Sequence, residues 1–471
     1  MTIRTSRLLP TCFGLAALLA VWVSCGGRSA RDDNASPATT QVAASTPTGT
    51  ALPIVGTVTA LGPGETFTLQ TSRGTVHRFR LDATTRSFTR SMWSAAGTPG
   101  DLQIGARLCV SAVEAPDGTS LARHLLRLDP TSQTKAPRSI RPAEGEGPVA
   151  RIYHHAIYRD RSDEMFIFAG QDGPSWTNEV RDLWSFHVRT GHWEYLGEQP
   201  AATANLYVPA YDRDADRIVM YVAMDGDGNL LATPETWAFD PVSRTWENRQ
   251  AANPPSPRWG SMMAYDAHAG KTVLFGGGDF QTWLPLDETW TYDYPTNTWT
   301  QLHPATSPLS INFGAMAYDS RAELIVMFSG SYWYNETGAG WNLDETWTLD
   351  VPEATWRRVP TAVAPTARTY HRMDYDPRLG EVLMFGGCTG TDFPDDPLIP
   401  QNDTWAFNAR TGLWRQLDPK AVPGPTGWHT LVFATVADRA VVFGGGVSRD
   451  LPTRATWLYH PEPDRWKNVL E

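Results

Sequence analysis

The chain has 471 residues, 41% of them hydrophobic and 19% charged, with 39 Gly, 36 Pro and 20 Trp. Its formal net charge is −11, and from residue 148 onward 25 Lys and Arg stand against 41 Asp and Glu. The length exceeds that of one ordinary domain, and an acidic surface argues against contact with phosphate backbones, so no nucleic acid is expected as a partner.

Residues 1–25 read as a targeting segment rather than as structure. Arg4 and Arg7 precede an apolar run from Leu8 to Val23, which is too short for a membrane span and is followed at once by polar sequence. The segment Trp22-Val23-Ser24-Cys25 resembles a lipobox, with Trp22 where Leu is usual. The resemblance implies lipidation of Cys25 and a membrane anchor. Gly26 in the next position, where an Asp would retain the protein at the inner membrane, implies an outer-membrane or surface address in the cell envelope. Residues 26–50 are rich in Ser, Thr, Ala and Pro and read as a flexible tether. Cys12 and Cys25 fall in the targeting segment; Cys109 and Cys388 are expected as buried thiols, and no metal-ligand spacing connects them.

Residues 51–130 alternate apolar and polar residues between Gly-marked turns, as in Thr66-Phe67-Thr68-Leu69 and Val76-His77-Arg78-Phe79. Period two over five short runs predicts a small β-barrel. The order of these runs, with Gly62-Pro63-Gly64 and Asp117-Gly118 at turns, resembles a small bacterial domain with an OB-like strand pattern. A spacer and an oligomer-binding barrel both fit it. Residues 131–147 form a Pro-, Glu- and Gly-containing linker.

From residue 148 to 471 the chain repeats itself, and the repeat is settled before any single motif is read. Six pairs of Trp nine residues apart mark it: Trp184/Trp193, Trp237/Trp246, Trp290/Trp299, Trp347/Trp356, Trp405/Trp414 and Trp457/Trp466. Successive pairs are 53, 53, 57, 58 and 52 residues apart, so a fixed hairpin is joined by connections of varying length. Upstream of each pair an aromatic (Tyr158, Tyr211, Tyr265, Tyr318, Tyr375, Phe433) precedes an apolar strand such as Met165–Phe168 or Val382–Phe385. Small residues follow that strand, as at Gly276-Gly277, Gly386-Gly387 and Gly444-Gly445; Ala223-Met224 breaks the rule. An acid lies two before the first Trp in five copies: Asp182, Glu235, Glu288, Glu345 and Asp403. Its recurrence points to a structural contact.

This constellation resembles the kelch repeat, the unit of the galactose-oxidase central domain. Kelch repeats form four-stranded blades, so the resemblance implies an all-β chain with a six-bladed β-propeller over residues 148–471, preceded by the small β-barrel. The expected repeats are about 148–200, 201–253, 254–306, 307–363, 364–421 and 422–471. How the ring closes is left open, with residues 137–147 available to contribute.

The connection after the Gly pair varies most in length, and in kelch propellers the variable connections share one face around the channel. That face is the expected binding surface. Its aromatics Trp176, Trp283, Trp333 and Trp341 either bind a ligand or pack their own loops. Arg151, Arg258 and Arg368 occupy equivalent positions that kelch resemblance puts near the channel mouth, where they either meet a carboxylate or make structural hydrogen bonds. His154, His371 and His429 are likewise equivalent to one another. They are candidate ligand-binding residues, with a metal as the lesser reading, since Tyr207, Ser261 and Gly314 replace them in the other repeats. The resulting expectation is a monomeric, lipid-anchored envelope protein that binds an extracellular protein or glycan, with no cofactor and no catalytic residue assigned. A carbohydrate-active enzyme resembling the secreted kelch sialic-acid mutarotase is the alternative, and a copper radical oxidase a remote one.

Overall fold

The computed structural model describes residues 54–62, 66–70, 76–80, 86–88, 107–114, 120–127 and 147–469, except 173–178, 200–206, 225–229, 281–284, 335–338, 391–396 and 450. The chain is all-β, with no helix among the described residues. Cys25, Trp176 and Trp283 lie outside them, as do residues 137–146, so the structure bears on none of these expectations.

The first sheet contains β1 (Ile54–Gly62), β2 (Thr66–Gln70), β3 (Val76–Arg80), β4 (Arg86–Phe88), β5 (Arg107–Glu114) and β6 (Ser120–Arg127). β1 pairs antiparallel with β2 and β5, β2 with β3, and β5 with β6. A parallel pairing of β3 with β6 closes the sheet into a barrel, and β4 adds alongside β6. A bulge between Val58 and Ala60 bends β1 for closure. Val58, Phe67, Leu69 and Phe79 are buried, and the rings of Phe67 and Phe79 stack 5.2 Å apart. The period-two pattern of the sequence is the inside of this barrel.

From His155 the described residues build six four-stranded antiparallel sheets in chain order, with short two-residue strands (Gly278–Asp279, Cys388–Thr389, Ile399–Pro400) between the second and third members of the third and fifth sheets. The first runs His155–Arg159, Glu164–Gln171, Glu179–His187 and His192–Glu198. The innermost strands of the other five are Tyr207–Asp212, Met262–Asp266, Ala315–Asp319, Arg372–Asp376 and Thr430–Ala434. Each innermost strand contacts the next, and the sixth contacts the first, so the sheets stand as blades around an axis. The apolar second strands lie between neighbouring blades, which is why both of their faces are hydrophobic: Met165–Phe168, Val273–Phe275 and Val382–Phe385 are all buried.

The Trp pairs explain the constant spacing. The first Trp of a pair donates its indole N–H to the acid two residues earlier, at 2.7–2.9 Å: Trp184 to Asp182, Trp237 to Glu235, Trp290 to Glu288, Trp347 to Glu345 and Trp405 to Asp403. The second Trp faces the preceding blade. Its ring packs on the aromatic of that blade's second strand, with Trp193 on Phe443, Trp246 on Phe168, Trp299 on Tyr221, Trp356 on Phe275, Trp414 on Phe328 and Trp466 on Phe385. In four blades its N–H also reaches a threonine of the neighbour, as in Trp356 to Thr289 at 2.9 Å and Trp414 to Thr346 at 2.8 Å.

The Gly pairs serve the same junction. The amide of Gly277 donates to the Ile311 carbonyl, and that of Gly387 to the Thr426 carbonyl, both at 2.9 Å and both in the next blade. A Cβ on Gly276 would stand 2.5 Å from the Ile311 oxygen, so a side chain there would push the blades apart. Gly445 donates to Arg151 in the same way, also at 2.9 Å, and this joins the sixth blade to the first. Among the described residues the last blade meets the first by the contacts that join every other pair of blades, Trp193 on Phe443 included, and no strand is shared between them.

Candidate functional site

Arg151, Arg258 and Arg368 take the structural reading: their side chains hydrogen-bond within the blade, although Arg258 is also among the residues that line the channel. All three are buried, at 0, 0 and 1% exposure, and each closes on the acid before its own blade's first Trp. Arg368 is the fullest case. Its two terminal nitrogens reach Asp403 at 2.6 and 2.9 Å, while Gly386, Thr366 and the Thr366 hydroxyl take its remaining donors. Burial opposes ionisation of Asp403, but the Arg368 guanidinium outweighs it and holds the carboxyl below the usual carboxylate range. Arg151 grips Asp182 at 2.5 and 2.8 Å, and Arg258 reaches Glu288 at 2.6 Å. With the Trp N–H on the same carboxylate, each set is an Arg–acid–Trp clasp inside the blade, and no surface of the arginine is left for a ligand carboxylate.

His154, His371 and His429 are also fully buried. Each ring sits edge-on to the phenylalanine that ends the neighbour's second strand: His154 on Phe443 at 5.3 Å, His371 on Phe328 at 5.6 Å and His429 on Phe385 at 5.4 Å. His154 Nε2 donates to the Phe443 carbonyl at 3.0 Å. Burial, reinforced by nearby arginines, pushes all three rings below the usual histidine range, to about 3 for His429. Neutral rings wedged between blades are what the equivalence of these positions reflects. No cluster of three metal-ligating side chains occurs among the described residues. The acids Asp212, Asp214 and Asp216, which have the spacing of a calcium loop, are engaged by the Ala215 amide, the Tyr265 hydroxyl and Arg159 respectively.

The inner strands enclose a channel of about 500 Å³. Five buried rings fill its end where the chain enters those strands: Tyr153, Trp259, Phe313, Tyr370 and Trp428. Neighbouring centroids are 4.8 Å (Phe313 and Tyr370), 5.4 Å (Tyr370 and Trp428), 5.6 Å (Trp259 and Phe313) and 6.1 Å (Tyr153 and Trp428) apart. Tyr153, Phe313, Tyr370 and Trp428 reach the axis from a left-handed backbone, with φ of 57, 57, 58 and 58°. Such a conformation is unfavourable for an aromatic residue and points to a position fixed by the surroundings. Nothing in sequence propensity marks this plug. At the opposite end, where the first and second strands of each blade turn, Asp160, Arg213, Ala267, Ser320, Pro377 and Thr435 rim the opening, and Arg213 pairs with Asp160.

The connections of variable length lie on the plugged side. In the fourth blade the second and third strands extend as a long hairpin, Leu324–Tyr334 and Ala339–Asp350. Trp341 on this hairpin is 47% exposed and makes a tilted ring contact with Tyr332 at 5.0 Å; the side chain of Trp333 lies outside the described residues. Ile399 in the fifth blade and Val447 and Leu451 in the sixth are exposed at the same connection. Phe280, on the connection after Gly276-Gly277, is buried with the plug.

Six four-stranded blades, five with the acid–Trp contact, five with small residues after the second strand and all with a second Trp packed on the preceding blade, define a kelch-repeat β-propeller. The Attractin/LZTR1 beta-propeller model matches residues 228–471, just over half of the chain, and the chain belongs to that family. The KLHDC2/KLHL20/DRC7 Kelch-repeats domain model matches residues 115–317.

Among curated proteins the chain is similar to Adagio protein 3 of Arabidopsis thaliana, at 25% identity over 50% of this chain and 37% of that protein. It is similar to the leucine-zipper-like transcriptional regulator 1 homolog of Drosophila melanogaster, at 34% identity over 34% of this chain and 16% of that protein. Both matches span well under half of the relative's length. Kelch domain-containing protein 2 of Bos taurus is 23% identical over 69% of this chain and 70% of its own. Of solved structures, YjhT superposes with a TM-score of 0.54 at 11% identity, over 69% of this chain and 98% of its own, a likeness of fold alone.

Proposed function

We propose that this protein is an extracytoplasmic propeller, anchored to the envelope through a lipid on Cys25, that binds a protein through the apolar loops on its plugged face. The observation that carries the reading is the exposure of Trp341, Ile399, Val447 and Leu451 at one connection of three consecutive blades. Large apolar side chains grouped on a rigid scaffold favour a docking surface over a random scatter. Three of the four are aliphatic, which suits an apolar protein partner better than a sugar face, since sugars favour stacking on rings. The plug beneath them makes this a surface site rather than a channel site. The enzymatic alternative has lost its support at Arg151, Arg258 and Arg368, whose guanidinium groups are occupied inside the blades. The barrel, closed by the β3–β6 pairing that an OB-like strand order requires, acts in this reading as a spacer.

The test is cross-linking of envelope proteins to the full-length wild type and to the Trp341→Asp/Ile399→Asp pair. Loss of a specific adduct in the double variant, at unchanged melting temperature, is the expected result. An unchanged adduct pattern, or specific labelling of a glycan array by both proteins, would overturn the reading. Anchoring is tested separately: Cys25→Ser should move the protein from the membrane to the soluble fraction, and an unchanged distribution would refute lipidation.

A further inference from the structure

The buried arginines Arg151, Arg159, Arg258 and Arg368 each have a carboxylate partner. Arg372 does not. It lines the channel as the first residue of the innermost strand Arg372–Asp376, two residues beyond Tyr370 of the aromatic plug. Among the described residues its one hydrogen bond runs from Nη1 to the carbonyl of its neighbour His371, at 3.1 Å, and no acid forms an ion pair with it. A guanidinium offers five N–H donors, so most of its capacity is open.

Among the described residues the surroundings give it no ion-pair partner. His154, His371 and His429, on whose protonation Arg372 acts, are themselves held neutral by burial. Of the acids that line the channel, Asp160 is taken by Arg213 at the mouth. Asp374 accepts the amides of Phe433 at 2.6 Å and Tyr375 at 2.8 Å, and burial pushes its carboxyl up to about 6. Burial also lowers Arg372 to about 10, a sign that the cation is short of stabilising partners. At the register of Arg372 the other five blades present His155, Val208, Met262, Ala315 and Thr430. Three of these are apolar, one carries a hydroxyl, and none is acidic.

We propose that the blind end of the channel is a site for a small organic monoanion, whose carboxylate is clamped by Arg372 while its hydrocarbon part lies along the apolar wall. A planar carboxylate matches the fork of the guanidinium. One unpaired cation in a poorly solvated space suits one negative charge, because a dianion would leave an excess charge buried. A channel of about 500 Å³ accommodates a molecule of several carbons and opens on the face opposite the variable loops. The site is thus separate from the docking surface proposed above, and either can exist without the other.

The experiment is calorimetric titration of the full-length protein, at fixed ionic strength, with sodium chloride, acetate, butyrate and hexanoate. Affinity should rise from acetate to hexanoate, and Arg372→Met should weaken hexanoate at least tenfold. Chloride binding with no response to the carboxylates would refute the organic-acid assignment, and equal binding by the variant would refute the role of Arg372. A second measurement needs no variant. Phenylglyoxal modification of Arg372, followed by peptide mass spectrometry, should be slowed by hexanoate and not by hexanol. Modification unaffected by hexanoate, or an Arg372 that never reacts because no entry path exists, would overturn the proposal.

Discussion

Replacing His429 by Gln should make the protein less sensitive to acid. His429 is fully buried with its ring against Phe385, and burial lowers it to about 3, against an ordinary value of about 6.5 in the unfolded chain. Its folded pKa is depressed, so below about pH 6.5 the unfolded chain takes up a proton that the folded chain refuses. Stability is therefore full above that pH and falls as the pH drops toward 3. At pH 5, about 1.5 pH units below the unfolded value, the loss from this one ring is about 2 kcal/mol. His154 and His371 act in the same direction. Asp374 acts in the other: raised to about 6 by burial, it holds a proton in the folded state that the unfolded chain has released, and so returns about 1 kcal/mol at pH 5. Because these terms oppose one another, the difference between two proteins is the clean quantity. Urea midpoints followed by tryptophan fluorescence at pH 7 and pH 5 should show a drop about 2 kcal/mol smaller in His429→Gln than in the wild type. Equal drops would mean that His429 is protonated in the folded ring and that the inter-blade packing has been misread.

Arg368→Met alone leaves Asp403 charged beneath the blade surface and should cost about 3–5 kcal/mol, whereas Arg368→Met with Asp403→Leu should cost markedly less; chemical denaturation of the two variants checks the order. Trp356→Phe keeps a ring on Phe275 but removes the N–H donated to Thr289, for a loss of about 1 kcal/mol, and Thr289→Val should be worse because it buries that N–H without a partner. Trp341→Ala should leave stability within about 0.5 kcal/mol in thermal unfolding, and a larger fall would make Trp341 part of the fold rather than of a binding surface.

The propeller was legible because its blades are held by contacts that every repeat must supply. The acid before each first Trp read as structural from recurrence alone, and it is the acceptor of that indole N–H in all five copies. Arg151, Arg258 and Arg368 were harder, because position in a repeat places a Cα near the mouth without saying where the long side chain turns. A signal was present: each of these arginines occurs in a repeat that also has the acid, and the sixth repeat, with Thr426 and Ala455 at the two positions, lacks both. Among the described residues the last blade meets the first through Gly445, Arg151, Trp193 and Phe443, the same types of contact as elsewhere, so closure has no sequence signal of its own there. The plug was hidden for another reason. Tyr153, Phe313, Tyr370 and Trp428 adopt a backbone conformation that side-chain preference argues against, so only the completed ring discloses it.

A closed ring of repeats separates architecture from function more sharply than most folds, because any residue that holds neighbouring blades together has to recur. The Trp pairs recur in all six blades, and the small residues after the second strand in five. The side chains at one register near the start of the inner strands do not: His155, Val208, Met262, Ala315, Arg372 and Thr430 differ from blade to blade. The loop residues Trp341, Ile399, Val447 and Leu451 are equally unrepeated. These two sets lie at opposite sides of the aromatic plug, which is built at a backbone cost of about 1–3 kcal/mol for each ring in the left-handed region. A ring that needed only to close could place glycine at all of these positions, as the third blade does at Gly260 with φ of 67°. Aromatic residues in four of the five described copies therefore argue that sealing the channel from the loop face is itself maintained, and that a ligand beside Arg372 and a partner on the loops would be bound independently.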